Sequence, residues 1–284
     1  MTEITFTRPS STTGEPRELK TVVWYPAKGS ASNVVPDAQP ASEGAPFPVV
    51  LYSHGNGGHP RGAMYLTEQI ASWGFVVAAP PHAGTTSDDC GEQCSAASTA
   101  DSARNRVDDV TFVLDELLAL RDDGGEPLAG AIDPERAGVV GYSFGGWTAG
   151  RAAAEGRFDA AIVQAPGSAD ELLVEALRTG IPVMLMGAGK DVLIDPDGLR
   201  RLYEMYPDDV PHYFVYMPEA IHSAFHDICF EAECSSAISR KRVHELVNRY
   251  ATAFLMTYLV GDERYASYLR QGDPPDAELM YEGP

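Results

Sequence analysis

The stretch GYSFGGW at residues 141–147 limits what this 284-residue chain can fold into more than any other. RAGVVGY leads into it, apolar and β-branched as a buried strand is; WTAGRAAAEG leads out of it, alanine-rich and helical. A strand, a sharp turn carrying Gly-x-Ser-x-Gly and then a helix is the context of a nucleophile elbow. There Ser143 sits at the tip of a strained turn. Gly141 and Gly145 have no Cβ, so strand and helix can close on each other. The turn lifts the serine hydroxyl out of the sheet and turns the first amides of the helix toward the same point.

The rest of the chain supplies a frame for such a turn. Residues 2–7 and 20–25 alternate in polarity and are expected to form the edge strands of a hairpin. FPVVLYS (47–53), GFVVAAP (74–80), FDAAIVQAP (158–166), IPVMLMG (181–187) and HYFVYMP (212–218) read as further strands. Between them lie helical segments near 63–73 and 101–121, a short helix over 168–180, and one that starts at Pro196 behind an Asp195 cap. A long amphipathic stretch over 235–260 closes the pattern, and the tail beyond Gly272 is expected to be loosely held. Strands alternating with helices mean βαβ units and a mostly parallel central sheet flanked by helices. The expectation is one α/β domain over 1–284, with 1–19 and 273–284 peripheral.

A parallel sheet of this kind places its functional groups beyond the carboxyl ends of the strands. HGNGG (54–58) follows one strand, AGKDVLID (188–195) another and EAIHSAFHD (219–227) a third. The order serine, acid, histidine is that of a hydrolase triad. A serine hydroxyl is a poor nucleophile until an imidazole takes its proton, and a carboxylate must orient that imidazole. Asp191 is preferred as the acid, since Asp195 is explained as a helix cap. His222 is preferred as the base, with His226 flanking the site or capping local structure. His212 stands at the entry of its strand, His244 inside the last helix. The oxyanion of a tetrahedral intermediate needs two donors: the backbone N–H of Phe144 and, from HGNGG, that of Asn56. His82, Trp147 and Phe225 are the candidates for contact with substrate; a loop role for His82 and a core role for Trp147 are the alternatives.

With 21 basic against 41 acidic residues, the formal charge is −20. Such a surface disfavours nucleic acid and anionic membranes as partners. No run of about eighteen apolar residues occurs, so no integral membrane association is expected. The expected partner is a small-molecule or polymeric ester, and the expected chemistry calls for no metal and no organic cofactor. The four cysteines fall into two close pairs, Cys90 with Cys94 and Cys229 with Cys234. Two local disulfides are favoured over zinc ligation and over free thiols, which suits a secreted or periplasmic protein; a cytoplasmic one is the alternative.

HGNGG, GYSFGGW, GAGKD and EAIHSAFHD in this spacing resemble the α/β-hydrolase superfamily, from about residue 20 to 260. SHGNGG, GFVVAAPPHAG, DPERAGVVGYSFGG and IHSAFHD narrow the likeness to dienelactone-hydrolase-like and platelet-activating-factor-acetylhydrolase-like serine esterases. The resemblance implies an α/β-hydrolase fold, with Ser143 as nucleophile, Asp191 as acid, His222 as base and the Asn56 and Phe144 amides as oxyanion hole. Dienelactone hydrolases proper carry a cysteine where this chain has Ser143, which favours simple ester hydrolysis by a carboxylesterase over lactone opening. Polyester or lipid-ester hydrolysis, amide hydrolysis by the same triad and a non-catalytic binding role are the alternatives. The connection 167–180 is too short for a large lid, so loops 81–100 and 223–235, each with a cysteine pair, are expected to rim the site.

Overall fold

The structure, a computed structural model, describes residues 1–29, 34–91, 94–121, 128–167, 173–174, 178, 180–228, 238–270 and 278–284. The proposed helix over 168–180 lies almost wholly outside these residues, and so does the Cys229–Cys234 pair.

The sheet is built from strands β1 (Thr2–Pro9), β2 (Pro16–Trp24), β3 (Phe47–Ser53), β4 (Val76–Ala79), β5 (Ile132–Tyr142), β6 (Ala160–Gln164), β7 (Val183–Ala188), β8 (His212–Met217) and β9 (Met280–Glu282). Their order is β1-β2-β4-β3-β5-β6-β7-β8-β9. From β4 to β8 every neighbouring pair is parallel; β1, β2 and β9 add antiparallel flanks. β3 has all seven residues buried, as a central strand covered on both faces must. Its partner β5 runs in register to the end, with Ser53 opposite Gly141. The serine turn and the HGNGG loop therefore leave the sheet side by side.

Helices α1 (Met64–Ser72), α2 (Ser87–Cys90), α3 (Ala96–Leu120), α4 (Phe144–Ala152), α5 (Pro196–Glu204) and α6 (Arg240–Leu255) complete the layers. One apolar cluster joins α1 and α6 to one face of the sheet, through Leu66, Ile70, Leu246 and Phe254 with Val50 and Val77. The other joins α3, α4 and α5 to the opposite face, through Val113, Leu117, Ala149 and Leu199 with Leu51 and Val163. Among the described residues, no helix is long and apolar enough to cross a membrane.

The structure differs from the sequence reading at three places. Of the first hairpin, β1 alone is an edge strand: β2 is interior, because Val22, Val23 and Trp24 are buried and pair with Ala79, Ala78 and Val77 of β4. α3 begins at Ala96, since Ser95 caps it by accepting a hydrogen bond from the Ser98 amide. The end of the chain is not loose. β9 pairs with β8, the Tyr281 ring stacks on Tyr250 at 5.3 Å, and the Tyr281 hydroxyl donates to the Leu269 carbonyl at 2.6 Å. The helix cap at Asp195 is present, with its carboxylate accepting from the Asp197 amide at 3.1 Å.

Candidate active site

Ser143 is the last residue before α4 and has φ 57° and ψ −122°, a conformation that a residue with a Cβ rarely adopts. Close packing enforces it. A Cβ on Gly141 would stand 1.9 Å from the Gly145 carbonyl oxygen, and one on Gly145 would stand 1.8 Å from that of Ser53. The Ser143 amide donates to the Gln164 carbonyl at 2.9 Å, and its carbonyl accepts from Trp147 and Gly167, each at 3.0 Å. The ends of β3, β5 and β6 and the start of α4 thus meet at one serine.

The expected acid and base, Asp191 and His222, lie on neighbouring loops. Beyond β7 and β8 the pairing continues, with the Gly189 amide on the Met217 carbonyl (2.9 Å) and that of Lys190 on Ala220 (2.8 Å). Asp191 comes next. Its Oδ1 accepts from the amides of Leu193 (2.9 Å) and Ile194 (2.8 Å), which leaves Oδ2 aimed at the histidine. His222 opens a one-turn helix ending at Phe225. Its Nδ1 lies 2.6 Å from Asp191 Oδ2, and its Nε2 lies 2.9 Å from Ser143 Oγ. The Asp191 and His222 side chains are only 2% and 4% exposed, so this contact is shielded from water. The Tyr142 ring, 5.0 Å from the imidazole, packs beside it.

The HGNGG loop lies against the serine: a Cβ on Gly55 would stand 3.3 Å from Ser143 Cβ. The Gly55 carbonyl accepts from the Gly58 amide (3.1 Å) and from His54 Nδ1 (2.8 Å). In a trans peptide this turns the Asn56 N–H the opposite way. Among the described residues, the amides of Asn56 and Phe144 make no hydrogen bond. A cavity of about 230 Å³ lies between the loop after β6 and the start of α5, lined by Pro166, Gly167, Leu193, Ile194 and Leu199; Ser143, Phe144 and His222 do not line it. A larger groove of about 690 Å³, between α1 and α6, holds none of these groups.

Beneath the loop lies a polar cluster that the sequence reading missed. Asp109 accepts from Arg8 (2.7 Å), Arg17 (2.9 Å) and His82 Nδ1 (3.1 Å). The Ser53 hydroxyl meets His82 Nε2 at 2.9 Å, and the His82 amide donates to His54 Nε2 at 3.2 Å. His54 and His82 are completely buried. Burial first, and then the positive charge of Arg106, hold both imidazoles well below their ordinary pKa. Both rings are therefore neutral, with the proton on Nδ1. A signal was available: Ser102, Asn105, Arg106 and Asp109 recur at helical spacing along α3, in line with its apolar face, and all four are buried.

The remaining expectations fall outside the triad contact. His82 and Phe225 have no exposed surface, and Trp147 is partly buried beside Phe144 with Arg151 over its ring. His226 accepts from the Ile228 amide at 3.0 Å, His212 stands at the start of β8 and His244 stacks on Tyr65 at 3.5 Å. Cys90, the last residue of α2, forms a disulfide with Cys94, just before α3.

The fold agrees with comparisons to known proteins. Residues 37–257 match the model of the dienelactone hydrolase family. A platelet-activating factor acetylhydrolase of Cavia porcellus is 22% identical over 278 residues, with 82% of this chain and 63% of that relative covered. The chain thus spans under two thirds of that relative's length. A ferulic acid esterase of Streptomyces cinnamoneus superposes with a TM-score of 0.74 at 22% identity, over 99% of this chain and 95% of the other. The match to the family model covers most of the chain, and the chain belongs to the dienelactone hydrolase family of α/β-fold hydrolases.

Proposed function

We propose that the protein is a serine carboxylester hydrolase that works through an acyl-enzyme at Ser143. The observation that carries this reading is the pair of contacts at His222, 2.9 Å to the serine hydroxyl and 2.6 Å to Asp191. His222 takes the hydroxyl proton as the oxygen attacks the ester carbonyl, and the Asp191 carboxylate steadies the imidazolium that forms. The amides of Asn56 and Phe144 receive the developing oxyanion. The imidazolium then protonates the leaving alcohol. A water, activated by the same ring, releases the acid and restores the serine.

Val192 and Leu193, just past Asp191, and Ile228, just past Asp227, are exposed. They favour an apolar group on the substrate, as do the lipid and aromatic esters in the names of the two relatives. The Cys90–Cys94 disulfide supports an oxidising compartment. The test is turnover of short-chain aryl esters of increasing acyl length. Ser143→Ala is expected to abolish it; near-normal turnover by that variant refutes the assignment.

A further inference from the structure

α3 carries one charge that the chemistry above leaves unused. Arg106 is completely buried, and among the described residues no carboxylate pairs with it. Asp109, three residues on, is engaged by Arg8, Arg17 and His82. Among the described residues, Arg106 Nε has no acceptor. Burial lowers its pKa to about 9, which still leaves it charged at neutral pH. Asp109 favours its charge from beyond contact distance, but a buried cation with no carboxylate touching it is costly, so what it does touch matters.

It touches both walls of the proposed oxyanion hole. Nη2 donates to the His54 carbonyl at 2.7 Å, at the root of the loop that presents Asn56. Nη1 reaches Thr148 Oγ1 at 3.4 Å, and that hydroxyl donates to the Phe144 carbonyl at 2.9 Å. The guanidinium carbon stands 4.2 Å from the centroid of the Phe144 ring.

We propose that Arg106 is the positioning residue of the oxyanion hole, clamping the His54 carbonyl to Phe144 and Thr148 so that the Asn56 and Phe144 amides keep a fixed separation. The proposal rests on the serine-hydrolase reading of the same site. A planar guanidinium can donate along two divergent directions while lying on an aromatic face. A lysine ammonium in that space cannot make the same set of contacts. The charge also adds a field that favours an anion at the hole, in surroundings that screen it poorly. The clamp acts on transition-state geometry, not on substrate docking, so its loss falls on kcat.

The experiment compares Arg106→Lys, Arg106→Met and Thr148→Val with the parent. It reads thermal unfolding, kcat and KM on a short aryl ester, and the affinity of a trifluoromethyl ketone that adds to serine as a tetrahedral oxyanion. Folded Arg106 variants are expected to lose about 10- to 100-fold in kcat, with KM within about twofold. Ketone affinity is expected to fall in step with kcat/KM. A merely structural arginine would lower the melting temperature and leave ketone affinity and kcat alone, and that result overturns the proposal. Thr148→Val cuts only the second arm and keeps the buried charge in place. A kcat reduced about threefold or more at unchanged KM supports the clamp, and an unchanged kcat overturns it, whether or not the Arg106 variants fold. Fluorophosphonate labelling of Ser143 in the parent separates the two claims. No label refutes the serine-hydrolase reading itself; a labelled parent with unaffected variants refutes the clamp alone.

Discussion

Gly145 lies so close to Ser53 that a methyl group in place of its hydrogen would stand 1.8 Å from the Ser53 carbonyl oxygen. The start of α4 therefore rests directly on the end of β3, where the strand passes into HGNGG. Gly145→Ala is expected to destabilise the protein by about 3 kcal/mol, because backbone must move on both sides. The same movement pulls Phe144 from Asn56 and is expected to lower kcat/KM about 100-fold. Urea unfolding and ester kinetics on one preparation check both numbers.

Ser143 is held at φ 57° whatever its side chain does. A glycine there relieves strain that alanine retains. Ser143→Gly is expected to be about 1–2 kcal/mol more stable than Ser143→Ala, with both inactive. Equal or reversed denaturation midpoints would show that the turn is not strained.

Asp109 is the one carboxylate that Arg8, Arg17 and His82 share. Removing it leaves Arg17 a buried cation without its carboxylate, while Arg8 keeps Asp108 at 3.2 Å. Asp109→Ala is expected to cost about 3–5 kcal/mol of stability, measured by denaturant unfolding. A loss below about 1 kcal/mol would mean that water already screens the cluster.

His54 and His82 stay neutral in the folded protein because burial lowers their pKa far below 6.5. Once unfolded, both titrate near the ordinary value. Below about pH 6.5 the unfolded chain thus binds protons that the folded one refuses, and stability falls as pH falls. Two such groups give a slope of up to about 2.7 kcal/mol per pH unit. Unfolding free energies from pH 7.5 to 5 are expected to decline below about pH 6.5, and a flat profile would contradict the neutral assignment.

The central strands and the three residues brought together at His222 were legible because each depends on a local rule. A buried strand reads as an apolar run, and its carboxyl end marks where to search. Ser143, Asp191 and His222 each follow such an end. The Arg106–Asp109 cluster was not legible in that way: helix α3 was read by its apolar residues alone, and charges along the same line looked like solvent-facing ones. Only the tertiary arrangement, in which Arg8 and Arg17 of the first hairpin reach across to α3, makes burial of those charges tolerable. β9 was missed because three residues after a Pro-rich tail carry almost no period of their own. Their place is set by β8, Tyr250 and Leu269. His82 and Phe225 follow strands at the expected end, but both turn inward and are covered.

Covalent trapping tests the central claim most directly. A fluorophosphonate is incubated with the protein and the modified peptide is identified by mass spectrometry. The account predicts one adduct per chain, on Ser143, absent from Ser143→Ala and formed at least about 100-fold more slowly in His222→Ala. An adduct on another residue, or undiminished labelling of Ser143→Ala, would contradict it.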